Sequence, residues 1–217
     1  MATEFDRHGD THLLYGSRLR DEFPDFQFEI EEDGEVVAHG RSLPVRWDGT
    51  VDDLPRGIDG AFERAFEEGG ANVLCAVGIG VPEALRGRQY SGRALERMLQ
   101  VAREHGFPRL IAPVKPTLKY RYPITPVERY ALWRRKDGLP FDPWVRTHAR
   151  FGAQILKAER QSVRVSGTVA EWEEWTGMAF PESGEYVIPG GLATLAIDRE
   201  RDAGRYAEPN VWMVHDV

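Results

Sequence analysis

The 217-residue chain is 41% hydrophobic and 29% charged, a composition typical of a globular protein with a sizeable core. Its formal net charge of −7 argues against nucleic acid or an anionic membrane as the main partner, because both select basic surfaces. No apolar run approaches the ~20 residues of a membrane span, and Met1–Asp6 lacks the apolar stretch of a signal peptide. The sequence therefore predicts a cytoplasmic protein.

The chain has one cysteine, Cys75, so no disulfide can form within it. This fits a reducing compartment, and its apolar neighbours predict a small buried side chain rather than a nucleophile. The histidines at positions 8, 12, 39, 105, 148 and 215 are too scattered to predict a metal site. Only folding could bring three of them together, so no metal is expected.

The first part of the chain predicts a helix followed by a hairpin. Residues 11–21 predict a short helix. The alternation of apolar and polar residues over Phe26–Ile30 predicts a half-buried strand. Asp33-Gly34 predicts the hairpin turn, and Val36–Ala38 begins the returning strand.

The next segment predicts a loop and an amphipathic helix. Arg41–Arg56 carries no clear periodicity and predicts a loop containing Trp47. Residues 58–66 place apolar side chains on one helical face, and Gly69-Gly70 ends the predicted helix.

A buried strand, a basic turn and a second amphipathic helix then follow one another. Val73–Val81 is continuously apolar and predicts a strand buried on both faces. Residues 86–92 form a turn with two arginines, residues 94–102 show helical periodicity, and Gly106 suits the helix C-cap. Since the turn's backbone N–H groups and the helix dipole both favour an anion, this segment predicts a phosphate site.

The turn resembles the acyl-CoA-binding motif of the GNAT N-acyltransferase family. That motif reads Arg or Gln, two residues, Gly, one residue, then Gly or Ala, between the family's fourth strand and the next helix. Arg86 matches the first position and Ser91 the small last position. Gln89 stands where the family has its central glycine, which lets the backbone approach the pyrophosphate closely.

The resemblance implies an α/β (α+β) fold, with a mixed, mostly antiparallel central sheet flanked by helices. It implies an N-acyltransferase that moves an acyl group, expected to be acetyl, from a pantetheine thioester to an amine of a small molecule by direct attack. Acetyl-CoA or another acyl-CoA would be the cosubstrate. The implied cofactor-binding residues are Ile79, Val81, Arg86, Gly87, Arg88, Gln89, Ser91 and Gly92.

Arg109–Val114 predicts a short strand that matches the family's fifth, and an unusual segment follows it. Residues 116–141 interleave basic and aromatic side chains, where the family continues almost directly into a helix. One interpretation is that this insertion recognises the acceptor or the acidic surface of a carrier protein. The other is a structural flap whose aromatic side chains pack on the core.

Asp142-Pro143 predicts the start of a helix, with Asp as N-cap and Pro at the first position. In the family this helix ends in a tyrosine, three residues and a glycine, and the tyrosine often protonates the leaving thiolate. His148–Gly152 has that spacing with histidine in the tyrosine's place, so the resemblance implies His148 as the acid. Tyr130 is the reserve candidate, and no general base is evident.

The remaining residues predict a C-terminal extension of the family pattern. Ala153–Lys157 begins a strand, and Thr168 and Glu171 form a capping box for a short helix. Two further strands are predicted over residues 192–197 and 210–214, with a turn at 203–204 between them.

We interpret the chain as a single acyltransferase-like domain, 1–217, with an inserted segment 116–141 and a C-terminal extension 158–217. Two alternatives to acyl-CoA-dependent transfer stay open. The donor could be a thioester bound to an acyl carrier protein, or the chain could be a non-catalytic binding protein. The expected partners are a small-molecule acceptor and, for the first alternative, the carrier protein; the sequence leaves a homodimer open.

Overall fold

The structure is a computed structural model that describes residues 3–217, without the side chain of Asp6. Within these residues the helices are α1 Asp10–Tyr15, α2 Arg18–Glu22, α3 Gly57–Glu67, α4 Tyr90–Glu104, α5 Val127–Ala131, α6 Pro143–Arg150 and α7 Val169–Thr176. The strands are β1 Gln27–Glu32, β2 Glu35–Val45, β3 Val73–Gly80, β4 Arg109–Val114, β5 Gln154–Gly167, β6 Gly184–Val187, β7 Thr194–Asp198 and β8 Ala203–Asp216. None of these helices combines the length and the apolar content needed to cross a bilayer.

The strands form one eight-stranded sheet in the order β1-β2-β3-β4-β8-β7-β6, with β5 also paired to β8. The long strand β8 holds β5 along one edge, while its other edge pairs first with β7 and then with β4. Within residues 3–217, β3 and β4 are the one parallel pair. The predicted mixed, mostly antiparallel sheet flanked by helices is confirmed.

The pairing of β3 with β4 stops after two residues. Leu74 pairs with Leu110 and Cys75 with Ile111, and beyond them the two strands diverge. A register shift between β2 and β3 lies at the same level, between Arg41 and Ser42. An extra residue in one strand reverses which side chains face each side of the sheet. The side chains at the end of β3 therefore alternate between the two faces differently from those at its buried start. The divergence opens a wedge at the carboxyl ends of β3 and β4.

Helices cover both faces of the sheet, and each face has its own core. On one face, α4 and α6 bury residues such as Leu95, Met98 and Val145 against β3, β4 and β8. On the other face, α3 buries Phe62 with Cys75. A third cluster lies between α7 and the C-terminal strands. Cys75 is completely buried, as its neighbours in the sequence predicted.

Several local predictions are confirmed because short-range interactions set them. Asp33 and Gly34 both adopt positive φ, 52° and 79°, as a tight hairpin turn requires. The strand over Arg109–Val114 has the predicted bounds. Thr168 and Glu171 form the predicted capping box of α7.

The predicted helix over residues 11–21 is wrong, because the chain forms two helices separated at Gly16-Ser17. Leu19 of α2 is buried, whereas Leu13 and Leu14 of α1 are 66% and 68% exposed. The short helix α1 thus buries Thr11 and leaves both leucines exposed, while α2 contributes Leu19 to the core.

Other strand boundaries also differ from the predictions. The loop predicted from Arg41 is strand as far as Val45, because Leu43 and Val45 alternate into the core. Ala203-Gly204 belongs to β8, and the turn before it lies at residues 199–202. The short strand β6 was not predicted.

The inserted segment 116–141 packs its aromatic side chains together. The rings of Tyr122, Tyr130, Trp133 and Phe141 lie with centroids 4.9–6.1 Å apart. Val127 joins the core on the α4 side of the sheet. These contacts support the interpretation of the insertion as a packed flap.

Lys119 fixes the insertion to the C-terminal part of the chain. Its side chain is almost completely buried, and Nζ donates hydrogen bonds to the carbonyl oxygens of Tyr122 at 2.7 Å, Pro123 at 3.4 Å and Leu192 at 2.7 Å. Burial lowers the pKa of Lys119 to about 8. Three carbonyl acceptors match the three N–H donors of an ammonium group, so the anchor depends on its hydrogen bonds rather than on an ion pair.

Replacing this lysine should change how stability depends on pH. With a folded-state pKa of about 8 and an unfolded pKa near 10.4, the unfolded chain binds more protons between these values. The free energy of unfolding of the wild type should therefore rise across this range, relative to Lys119→Met, by up to about 3 kcal/mol. Urea unfolding of both proteins across this range measures the difference.

The control for this experiment is Lys136→Met, which removes an exposed lysine of the same segment and reports any general effect of high pH. A difference between wild type and Lys119→Met that stays constant with pH would contradict the assigned cause.

Candidate active site

A cleft of about 710 Å³ opens where β3 and β4 diverge. Its walls are the end of β3, the turn before α4, the first residues of the insertion, Trp144 of α6 and the segment Gly190–Leu192. The predicted cofactor-binding residues that line it are Ile79, Val81, Arg86, Gly87, Gln89 and Ser91. Arg88 and Gly92 belong to the same turn and helix but are not part of the lining.

The turn before α4 has the backbone geometry of an anion site. Gly87 and Gln89 have positive φ, 83° and 66°, and α4 begins at Tyr90. The N-terminal N–H groups of a 15-residue helix thus face the turn that carries Arg86. Gln89 adopts a left-handed backbone conformation, which costs strain in any residue other than glycine.

His148 lies in the core and does not line the cleft. Its side chain is 2% exposed, and Nδ1 is 2.9 Å from Nε2 of His215. The ring meets Trp144 edge-on, with centroids 4.6 Å apart. Burial and the neighbouring His215 lower the pKa of His148 to about 3, so the imidazole is neutral near pH 7.

This placement contradicts the interpretation of His148 as an acid for the leaving thiolate. A proton donor must carry the proton at working pH and must contact the group that it protonates. The spacing from His148 to Gly152 located a helix end correctly, but the helix turns this residue inward. Its observed contacts are those of a packed core histidine.

Tyr130 is also buried away from the cleft. Its hydroxyl donates a hydrogen bond to Oδ2 of Asp142 at 2.9 Å, and the side chain is 2% exposed. Burial and the Asp142 carboxylate raise the pKa of Tyr130 well above its ordinary value. The same carboxylate caps α6 by accepting from the backbone N–H of Trp144. Tyr130 therefore supports the helix start, and its interpretation as a reserve acid is corrected as well.

Several cleft residues escaped the sequence analysis. Lys115, Thr117 and Tyr120 come directly after β4, and Trp144 lies on α6. The signal for the first three was their position, because ligands often bind beyond the carboxyl ends of parallel strands. Tyr120 and Tyr122 are separated by one residue in the sequence, but only Tyr120 lines the cleft.

A second cavity of about 250 Å³ lies on the α3 side of the sheet. Its apolar lining includes Phe62 and Val77, which also border the core on that face. Its charged lining is mixed, with Asp59 and Glu208 facing Arg41 and Lys115, and with His12. Lys115 lines both this cavity and the cleft, so one side chain forms a common wall.

Charges around the second cavity are held by specific partners. Nζ of Lys115 is 2.5 Å from Oε2 of Glu208. Oδ2 of Asp59 accepts hydrogen bonds from the backbone N–H of Arg164 at 2.9 Å and from its Nε at 3.4 Å. Burial raises the pKa of Asp59, and burial together with Arg41 lowers the pKa of His12. The cavity thus offers both signs of charge within an apolar frame.

The comparisons with known proteins agree with this architecture. Residues 2–120 match the model of the acetyltransferase (GNAT) family. The arginine N-acetyltransferase avaD of Aspergillus versicolor is 30% identical over an alignment 210 residues long that covers 84% of this chain and 71% of that protein. The chain therefore belongs to the GNAT acetyltransferase family, and the predictions of the family and of an N-acyltransferase are confirmed.

Two solved structures share the fold over most of the chain. The loading GNATL domain of CurA from Lyngbya majuscula superposes with a TM-score of 0.59 at 19% identity, covering 95% of this chain and 83% of that chain. The GphF GNAT-like decarboxylase, solved in complex with isobutyryl-CoA, gives a TM-score of 0.55 at 17% identity, covering 92% and 82%. At these identities the likeness concerns the fold.

The strain at Gln89 can be measured directly. Gln89→Val should destabilise the protein by about 1–2 kcal/mol, because a β-branched side chain tolerates positive φ poorly. Gln89→Gly should be neutral or stabilising by up to about 1 kcal/mol, since strain relief opposes the added chain entropy. Urea unfolding gives both values, and Arg88→Val is the control at a neighbouring exposed position without positive φ. Equal effects of valine at positions 88 and 89 would contradict the assignment.

Proposed function

We propose that this protein transfers an acetyl group from acetyl-CoA, or from a related acyl-CoA, to the amine of a small cationic amino acid of the arginine type. The observation that carries the proposal is the pair of cavities that share Lys115 as a wall at the divergence of β3 and β4. One cavity has the features of a donor site and the other those of an acceptor site. Direct transfer needs this adjacency of two separately bound substrates.

The donor is assigned to the cleft because its two ends suit the two ends of a CoA thioester. The turn with Arg86 at the start of α4 suits the pyrophosphate. Beyond Cys75, no strand within residues 3–217 pairs with the edge of β3 that faces β4, so the backbone of Ile79–Val81 can bond the amide groups of pantetheine as a neighbouring strand would. The thioester would then lie near the wall formed by Lys115.

Direct attack by the amine is favoured over a covalent acyl-enzyme. Cys75 is the chain's single cysteine, and it is fully buried and lines neither cavity. Burial also raises the pKa of its thiol, which removes the thiolate that a nucleophile requires.

The acceptor is assigned to the second cavity because the charged side chains that line this cavity suit a cationic amino acid. Such a molecule carries an ammonium group, a carboxylate and a cationic side chain. Asp59 and Glu208 suit the cationic groups, and Arg41 suits a carboxylate. The relative from Aspergillus versicolor is named as an arginine N-acetyltransferase, which supports the same class of acceptor.

A carrier-bound thioester is the alternative donor. The insertion exposes Ile124 and Leu132, at 78% and 72%, beside the basic residues Arg121 and Arg129, a combination that suits an amphipathic acidic partner. Activity with an acyl group loaded on a carrier protein, but none with the same acyl group on CoA, would favour this alternative.

Acetyl-CoA at ~100 times its dissociation constant should stabilise the fold by about 2.7 kcal/mol. Arg86→Glu should remove most of this stabilisation, because it places a negative charge beside the phosphate. Chemical unfolding with and without acetyl-CoA measures the effect. The matched control is Arg103→Glu, which changes an exposed arginine in the last turn of α4, at the far end of that helix from the turn with Arg86. If CoA and its thioesters stabilise neither wild type nor the control, the donor assignment is wrong.

Arginine should be a better acceptor than agmatine, which is arginine without its carboxylate. An ionic hydrogen bond from Arg41 should raise kcat/KM for arginine at least ~10-fold over agmatine, and Arg41→Met should abolish most of that preference. Mass spectrometry of both acetylated products gives the ratio.

The control is Arg46→Met, which removes an arginine just beyond β2 that pairs with Glu68 and lines neither cavity. An unchanged arginine preference in Arg41→Met would assign the carboxylate to another residue.

A further inference from the structure

Lys115 and Glu208 are brought together by the pairing of β4 with β8. Lys115 is the residue after β4, and Glu208 lies in the middle of β8. Asn210 fixes the junction, because its Nδ2 donates a hydrogen bond to the carbonyl oxygen of Pro113 at 2.9 Å. The strands are rigid and the contact is short, so both functional groups have defined positions.

The two side chains face different substrates. Lys115 lines the cleft and the second cavity, and its side chain is 39% exposed. Glu208 lines only the second cavity, and its side chain is 7% exposed. The ammonium group therefore reaches the donor side, while the carboxylate is restricted to the acceptor side.

We propose that Lys115 and Glu208 are a proton-transfer pair for the acyl transfer. Glu208 takes a proton from the acceptor ammonium, and Lys115 gives a proton to the departing thiolate. The inference rests on the proposed function, because Glu208 has a proton to accept and Lys115 a thiolate to protonate only when an amine and a thioester occupy the two cavities.

The steps balance without a further reactant. The acceptor ammonium loses one proton to the Glu208 carboxylate, and the neutral amine forms a bond to the thioester carbonyl carbon. The carbon–sulfur bond breaks, and the thiolate takes a proton from Lys115. Glu208 returns its proton to Lys115 across their 2.5 Å contact. After bond formation, the attacking nitrogen carries one proton more than the amide product, and this proton passes through Glu208 to water. The products are free CoA, the acetylated amine and one released proton.

Other titratable side chains near the cleft do not connect its two sides. His148 and Tyr130 line neither cavity. Tyr120 lines the cleft, where its hydroxyl accepts from Nε of Arg121 at 3.2 Å, but it does not reach the second cavity.

The test measures acetylation of arginine by acetyl-CoA in Lys115→Met and Glu208→Gln. Each should lower kcat by about 10²–10⁴-fold, with KM for acetyl-CoA changed by less than about threefold, while Glu208→Gln should also raise KM for arginine because Glu208 faces its cationic groups. The double variant should lose little more than the more impaired single variant, because the two groups act as a unit. Lys157→Met and Glu159→Gln are the matched controls, since this ion pair of 3.9 Å on β5 lines neither cavity.

Restoring an ammonium group separates a chemical role from a structural one. Lys115→Cys treated with 2-bromoethylamine gains a lysine-like side chain at that position only, because Cys75 is fully buried. The treated variant should recover at least ~10-fold in kcat over the untreated one, whereas treated wild type should not change. Thermal unfolding of the same preparations shows whether each variant is folded.

The outcomes separate this inference from the proposed function. If wild type acetylates neither arginine nor agmatine, the proposed function fails and the role of the pair fails with it. If wild type is active and folded Lys115→Met and Glu208→Gln keep kcat within about threefold, the pair is not catalytic. A folded Lys115→Cys whose lost turnover is not restored by alkylation would also overturn the proposal.

Discussion

The early end of the β3–β4 pairing is the constraint on which the rest of the structure depends. Two parallel residue pairs hold these strands together in the core, and a register shift between β2 and β3 lies beside the point where β3 and β4 diverge. Backbone N–H and C=O groups that a longer β3–β4 pairing would hydrogen-bond between the strands therefore lie at the edge of the cleft. Both cavities, and the residue that they share, follow from this divergence.

The helices and turns around this divergence form two chemically different cavities. On one side, the turn with Arg86 and the start of α4 place positive charge and free helix N–H groups next to the strand edge. On the other side, α1 and α3 close a small cavity of mixed charge. Lys119 and the aromatic cluster anchor the insertion to the rest of the fold. The insertion also contributes Tyr120 to the lining of the cleft.

The two sequence-based candidates for proton transfer show what a linear spacing can and cannot establish. The distance from His148 to Gly152 correctly marked the end of α6, because helix termination is set by nearby residues. Which way the helix turns His148 depends on its packing against Trp144 and on His215, which is 67 residues away in the sequence. The same holds for Tyr130, whose hydroxyl is committed to the cap of α6.

The sequence by itself determined the elements whose signals are local. These are the hairpin turn at Asp33-Gly34, the capping box of α7, the basic turn before α4, and the strand β3, although the predicted burial on both faces holds only for its first half, Val73–Ala76. Turn geometry, caps and periodicity each depend on residues within a few positions of one another. The tertiary structure alone decided the divergence of the strands, the inward placement of His148 and the contact between Lys115 and Glu208. These features arise from pairing and packing between distant segments, and no spacing along the chain encodes which distant group a side chain meets.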